Sequence, residues 1–179
     1  MKDAIYKIIR DLGENPRRDG LLETPARYEK ALLEMTEGYK QCPREILSKT
    51  FAVEKSDIVL VKNINFVSLC EHHLLPFTGQ AHVAYIPTNR LVGLSKIPRL
   101  VHCFAKRLQC QERLTRQIAG ALEDYLETAG VGVVVSAIHS CMVYRGIKQS
   151  GATMTTSTML GDFRKDSDAR KELMHLIAF

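Results

Sequence analysis

The chain predicts an α+β fold, a mainly antiparallel sheet with helices packed on one face, preceded by an N-terminal helical arm. Apolar residues recur at helical spacing near the N-terminus and again between Ser95 and Leu126, whereas β-branched residues gather in short runs from Asp57 to Ile86 and beyond Gly130. The resulting order, β-β-β-α-α-β-β-α, lacks the strict strand–helix alternation of a parallel α/β sheet. With 179 residues the chain can build one sizeable core, so residues 1–50 are assigned to the arm and 51–179 to the sheet domain.

The first helix carries Ala4, Ile5, Ile8, Ile9 and Leu12 on one stripe and stops at Gly13. In the second, Thr24 is placed to cap, Pro25 suits the first helical position, and Tyr28, Ala31, Leu32 and Met35 form the stripe, which ends near Gly38. Strands follow at Ile58–Val61, Ile64–Leu69 and Ala81–Ile86. Helices are expected from Ser95 through Phe104 and from Gln111 to Leu126, where Leu114, Ile118, Ala121, Leu122 and Tyr125 share a side. Val131–Tyr144 reads as one long strand and Thr153–Gly161 as another. A terminal helix spans Ser167–Ile177, its Ser-x-x-Arg start lacking the Glu of a capping box.

The apolar runs are far shorter than the roughly 20 residues a membrane helix needs, and the start of the chain has no signal-peptide pattern. A cytoplasmic, soluble protein without membrane partners is therefore expected. The net charge of +5 favours anionic partners without choosing among them, and no aromatic-basic interleaving or nucleic-acid motif accompanies it. The five cysteines are odd in number and irregularly spaced, which argues against a disulfide framework and leaves thiolate ligation open. Cys103 and Cys110 sit among apolar neighbours and read as packing residues.

Chemistry concentrates in Ser-Leu-Cys-Glu-His-His-Leu-Leu-Pro-Phe, residues 68–77, where Cys70 and His73 have the C-x2-H spacing that lets one turn present two ligands to a common ion. A second cluster, His139-Ser140-Cys141, would project His139 and Cys141 to the same face of a strand. Should Cys141 complete the set, two thiolates and one imidazole make a soft site suited to zinc. Three protein ligands leave a fourth position for water, as in catalytic sites, while His139 or His72 as a fourth ligand would close it into a structural one.

Cys70–Phe77, Val92–Arg99 (V-G-L-S-K-I-P-R), Gln111–Ile118 (Q-E-R-L-T-R-Q-I), His139–Gly146 (H-S-C-M-V-Y-R-G), Thr156–Phe163 (T-S-T-M-L-G-D-F) and Thr24–Arg27 (T-P-A-R) together resemble the motifs of GTP cyclohydrolase I. The motifs are long and run through nearly the whole chain. The resemblance implies the tunnelling fold (T-fold), a toroidal homodecamer with active sites at subunit interfaces, and conversion of GTP and water to 7,8-dihydroneopterin triphosphate and formate. It implies one zinc ion per subunit on Cys70, His73 and Cys141, and His139 as the proton donor and acceptor at the purine imidazole ring, a role suited to a side chain with both protonation states near neutrality.

Further implied roles are Gln111 and Glu112 on the guanine edge, Arg27, Lys96, Arg99 and Arg145 around the triphosphate, and Ser95 and His72 near the ribose. A carboxylate at Glu112 would accept both guanine N–H donors, which adenine lacks. Arg forks suit phosphate oxygens. Ala152 stands where the family often has Ser, and the N-terminal region is short, which bears on regulation and not on the ligand set. The rival readings are a zinc hydrolase of the same fold acting on another purine nucleotide and, from a different class, a zinc-stapled nucleic-acid-binding module.

Overall fold

The computed structural model describes residues 1–54 and 57–179. Two early strands, β1 (Thr50–Ala52) and β2 (Val59–Cys70), are followed by β3 (Pro76–Pro87), β4 (Arg90–Val92) and the short β5 (Leu108–Gln109); β6 (Thr128–His139) and β7 (Met154–Gly161) come later. Five of them form one sheet in the order β5-β2-β3-β6-β7, antiparallel except where β5 runs parallel to the end of β2. β1 and β4 make a separate two-stranded ribbon. The border drawn between residues 50 and 51 falls within β1.

Alternation sets the faces. Along β2, Ile64, Phe66 and Ser68 are buried while Asn65 and Val67 between them are exposed, the period-2 pattern of a strand with one covered face. β6 is buried from Gly130 through Val135, as a strand covered on both sides at that level must be. Helices α4 (Lys96–Ala105) and α5 (Gln111–Tyr125) cover one face. Ile97, Leu100, Val101, Phe104, Leu114, Ile118 and Leu122 meet Phe66, Phe77, Val83, Tyr85, Val131, Val133 and Val135 in the main core. At the far end of the other face, α7 (Asp162–Lys165) and α8 (Ser167–Ala178) bury Phe163 and Leu173 against Ala84 and Met159. The N-terminal helices α1 (Lys2–Asp11) and α2 (Thr24–Met35) pack on each other, and α3 (Pro43–Leu47) delivers Leu47 into the main core.

The structure departs from the sequence reading in instructive places. The two runs at 58–61 and 64–69 are one strand, β2, whose register shifts between Val61 and Ile64 at Asn63. Asn63 has φ 59, a left-handed conformation Asn tolerates, and its N–H donates to His82 Nδ1 at 3.3 Å. The long strand expected over 131–144 stops at His139, because β3 begins at Pro76 and its last pairing with β6 is Phe77↔His139; beyond it the chain turns into a short helix, α6 (Ser140–Val143). Thr24 opens α2 as a helical residue and Glu23 takes the cap position without a side-chain bond. The cap of α8 is Asp166, whose carboxylate accepts from Asp168 N–H at 2.8 Å.

Gly161, between β7 and α7, has φ 55, and a Cβ there would sit 2.1 Å from the Ala129 carbonyl oxygen. Gly161→Ala must therefore distort the β6–β7 pairing. A cost of about 1–3 kcal/mol is expected, read as a fall of several degrees in Tm by calorimetry. An unchanged Tm would show that this junction relaxes freely.

Candidate metal centre and active site

β2 ends by placing the buried Cys70 beneath a tight turn. The Cys70 carbonyl accepts from the N–H groups of His73 (3.3 Å) and Leu74 (2.8 Å), and Leu74 closes the turn at φ 55 before β3 begins. This winding carries the His73 ring back over Cys70, with Nδ1 3.7 Å from Cys70 Sγ. The turn is pinned from outside: Glu71 N–H donates to the Gln109 carbonyl at 2.9 Å, and the Glu71 carboxylate pairs with the Arg113 guanidinium, which holds its pKa below the usual value.

Cys141, on the first turn of α6, completes the cluster. The donor atoms of Cys70, His73 and Cys141 all lie within 4.8 Å of one another, close enough for one ion to collect them. Burial, then the neighbouring Cys70, pushes the Cys141 thiol up, so a dication would be what stabilises both as thiolates. Two sulfurs and one imidazole nitrogen form a set that zinc accepts readily, and His73 is exposed.

His139 reaches the neighbourhood differently from the way strand alternation predicts. Cys141 lies on a helical turn, so the two side chains do not share a strand face, and the donor cluster does not include His139. Its ring stacks on Phe77, centroids 4.6 Å apart and 5° from parallel, and its Nε2 lies 2.9 Å from Gln111 Oε1. Burial depresses its pKa, and Glu112 works in the opposite direction. His72 is exposed, with Nδ1 3.8 Å from Cys70 Sγ and Nε2 3.9 Å from Glu71 Oε1; it too stands outside the cluster.

The other predicted residues divide. Glu112 is exposed in the first turn of α5, near enough to His139 to act on its charge. Arg145 follows α6, exposed and within electrostatic reach of Cys141. Gln111 is 1% exposed, with both ends of its amide engaged inside the protein, so its side chain is not open to a guanine edge as the sequence reading supposed. Ser95 precedes α4 without making a cap bond. Arg99 lines a cavity of about 220 Å³ with Glu37, Gln41 and His102, Lys96 is half-buried at the start of α4, and Arg27 pairs with Glu23 on its own helix. Among the described residues, none of Arg27, Ser95, Lys96 and Arg99 is hydrogen-bonded or ion-paired to the metal cluster. A hollow of about 490 Å³ on the open sheet face, among Asn65, Thr78, Gln80 and Ser136, contains no cluster residue.

Sequence reasoning missed the supports: Phe77 beneath His139, Arg113 on Glu71, and Thr115 and Thr156 around Gln111. Their only signal was that all four lie within the segments that carry the resemblance.

Comparison with known proteins identifies the family. The family model for GTP cyclohydrolase I matches residues 1–178. A protein named GTP cyclohydrolase 1 from Chlorobaculum tepidum is 52% identical over 178 residues, 99% of this chain and 80% of that protein. GTP cyclohydrolase 1 1 of Pseudomonas syringae pv. tomato is 52% identical over 95% of this chain and 91% of its own length, and GTP cyclohydrolase 1 of Coxiella burnetii is 49% identical over 98% and 96%. Among solved structures, an apo archaeosine synthase QueF-Like matches 60% of this chain and 97% of its own, with TM-score 0.51 and 16% identity, a likeness of fold alone that agrees with the tunnelling fold. Among the described residues no helix is long and apolar enough to cross a membrane. Matched from end to end and about half identical to these relatives, the chain belongs to the GTP cyclohydrolase I family of enzymes.

Proposed function

We propose that this protein converts GTP and water to 7,8-dihydroneopterin triphosphate and formate, using one zinc ion per subunit on Cys70, His73 and Cys141. The observation that carries the reading is the convergence of those three donors within 4.8 Å, with His139 anchored beside them. When bound, zinc supplies the Lewis acidity that makes water a nucleophile at neutral pH.

The chain's own residues do the rest. Glu112 accepts the guanine N1–H and 2-amino protons, and His139 gives and takes the proton at N7 as the imidazole ring opens. Arg145, Arg27, Lys96 and Arg99 bind the triphosphate, with Ser95 and His72 at the ribose. A homodecameric ring in the cytoplasm, with active sites completed at subunit interfaces, is the form proposed.

Incubating zinc-loaded protein with GTP under reducing conditions is expected to release formate and generate a pterin chromophore together. Absence of both would overturn the reading.

A further inference from the structure

The amide of Gln111 lies where each of its hydrogen bonds can have only one direction. Its Nε2 is 3.0 Å from the Val135 carbonyl oxygen and 2.9 Å from that of Met154. Main-chain carbonyls only accept, so the NH2 end must face them and the usual ambiguity between amide oxygen and nitrogen is absent. Thr156 Oγ1 stands 3.1 Å from the same nitrogen and is also an acceptor toward it. The Thr156 proton is directed elsewhere: Thr115 Oγ1 donates to the main-chain oxygen of Gln111 at 2.8 Å, leaving its lone pairs to receive Thr156 Oγ1–H at 2.7 Å. Gln111 and Thr115 are each 1% exposed, so water does not compete.

With NH2 committed to β6 and β7, Oε1 must face His139. An amide oxygen only accepts, and the His139 nitrogen 2.9 Å away is Nε2. Nε2 therefore carries the hydrogen in the neutral ring, and Nδ1 is left with its lone pair. We propose that Gln111 is a positioning residue that locks His139 in its Nε2–H tautomer, so that Nδ1 is the nitrogen that exchanges the proton with substrate. Phe77, stacked on the ring, fixes the plane in which that lone pair lies. This rests on the reading of His139 as the proton-transfer group and reassigns Gln111 from guanine binding to the service of His139.

The test uses zinc-loaded protein labelled with 15N in its histidine rings. Two-bond 1H–15N spectra near pH 8, where an imidazole is neutral, should show the Nε2–H pattern for His139, identified by its loss in His139→Gln. In Gln111→Met that pattern should give way to the other tautomer or a mixture, with zinc content unchanged. Turnover of GTP should fall about 10²- to 10⁴-fold in kcat, the range for lost acid–base catalysis, and KM should stay within about threefold. An Nδ1–H pattern in the unsubstituted protein overturns the proposal, whether or not Gln111→Met folds. A raised KM with kcat preserved overturns it in favour of direct guanine binding. An Nε2–H pattern in a protein that leaves GTP intact supports the lock while refuting the proposed reaction.

Discussion

Replacing Cys141 with alanine is expected to remove zinc and activity together. Cys70 is held by β2 and His73 by its turn, so both survive the substitution, but two ligands cannot retain what three were arranged to hold. Zinc measured after dialysis should drop well below one per chain, and formate release should fall by at least about 10³-fold, since the nucleophile is lost and not merely misplaced. Folding should survive: Cys141 is only partly buried, and α6 borders the main core without entering it. The decisive pairing is metal content with turnover on the same sample. Stoichiometric zinc in Cys141→Ala would mean that another side chain, such as His72 or His139, completes the ligand set.

Glu112→Ala should separate the two properties that Cys141→Ala loses together. Zinc should remain at wild-type level, because Glu112 is outside the donor cluster, while kcat/KM for GTP should fall about 10²- to 10⁴-fold as the guanine edge loses its paired acceptor. The cost in stability should stay below about 1 kcal/mol, the value of a carboxylate in the first turn of a helix. Preference for GTP over ATP should shrink with it, measured as the ratio of the two kcat/KM values. Undiminished turnover of GTP would sink the guanine assignment and leave open a related hydrolase for another purine nucleotide.

The pattern of success at the sequence level follows the range of the forces involved. Helices α4 and α5 were legible through local periodicity, and the buried run of β6 through its unbroken stretch of β-branched residues bounded by glycine. Cys70 and His73 were legible because one turn joins them. Cys141 was assigned correctly to the vicinity but by an argument the structure replaces: whether residue 140 continues a strand depends on how far β3 extends opposite it, which no window around 140 contains. β1, β4 and β5, two or three residues each, are too short to show a period. Gln111 was assigned with Glu112 to the guanine edge, on the resemblance. It turns inward because β6 and β7 approach α5 there and offer it two carbonyls, a partnership made wholly by tertiary structure.

The pairing of Phe77 with His139 also determines what kinds of sequence change this site can survive. A strand sorts its side chains by odd and even, so a one-residue insertion or deletion within β6 would transfer His139 to the opposite side of the sheet even if most of the core re-formed. The exposed connection between α6 and β7 has no such arithmetic to keep, and length variation there need only leave Arg145 in place. The length of β6 is therefore frozen, and divergence in length should collect after residue 145.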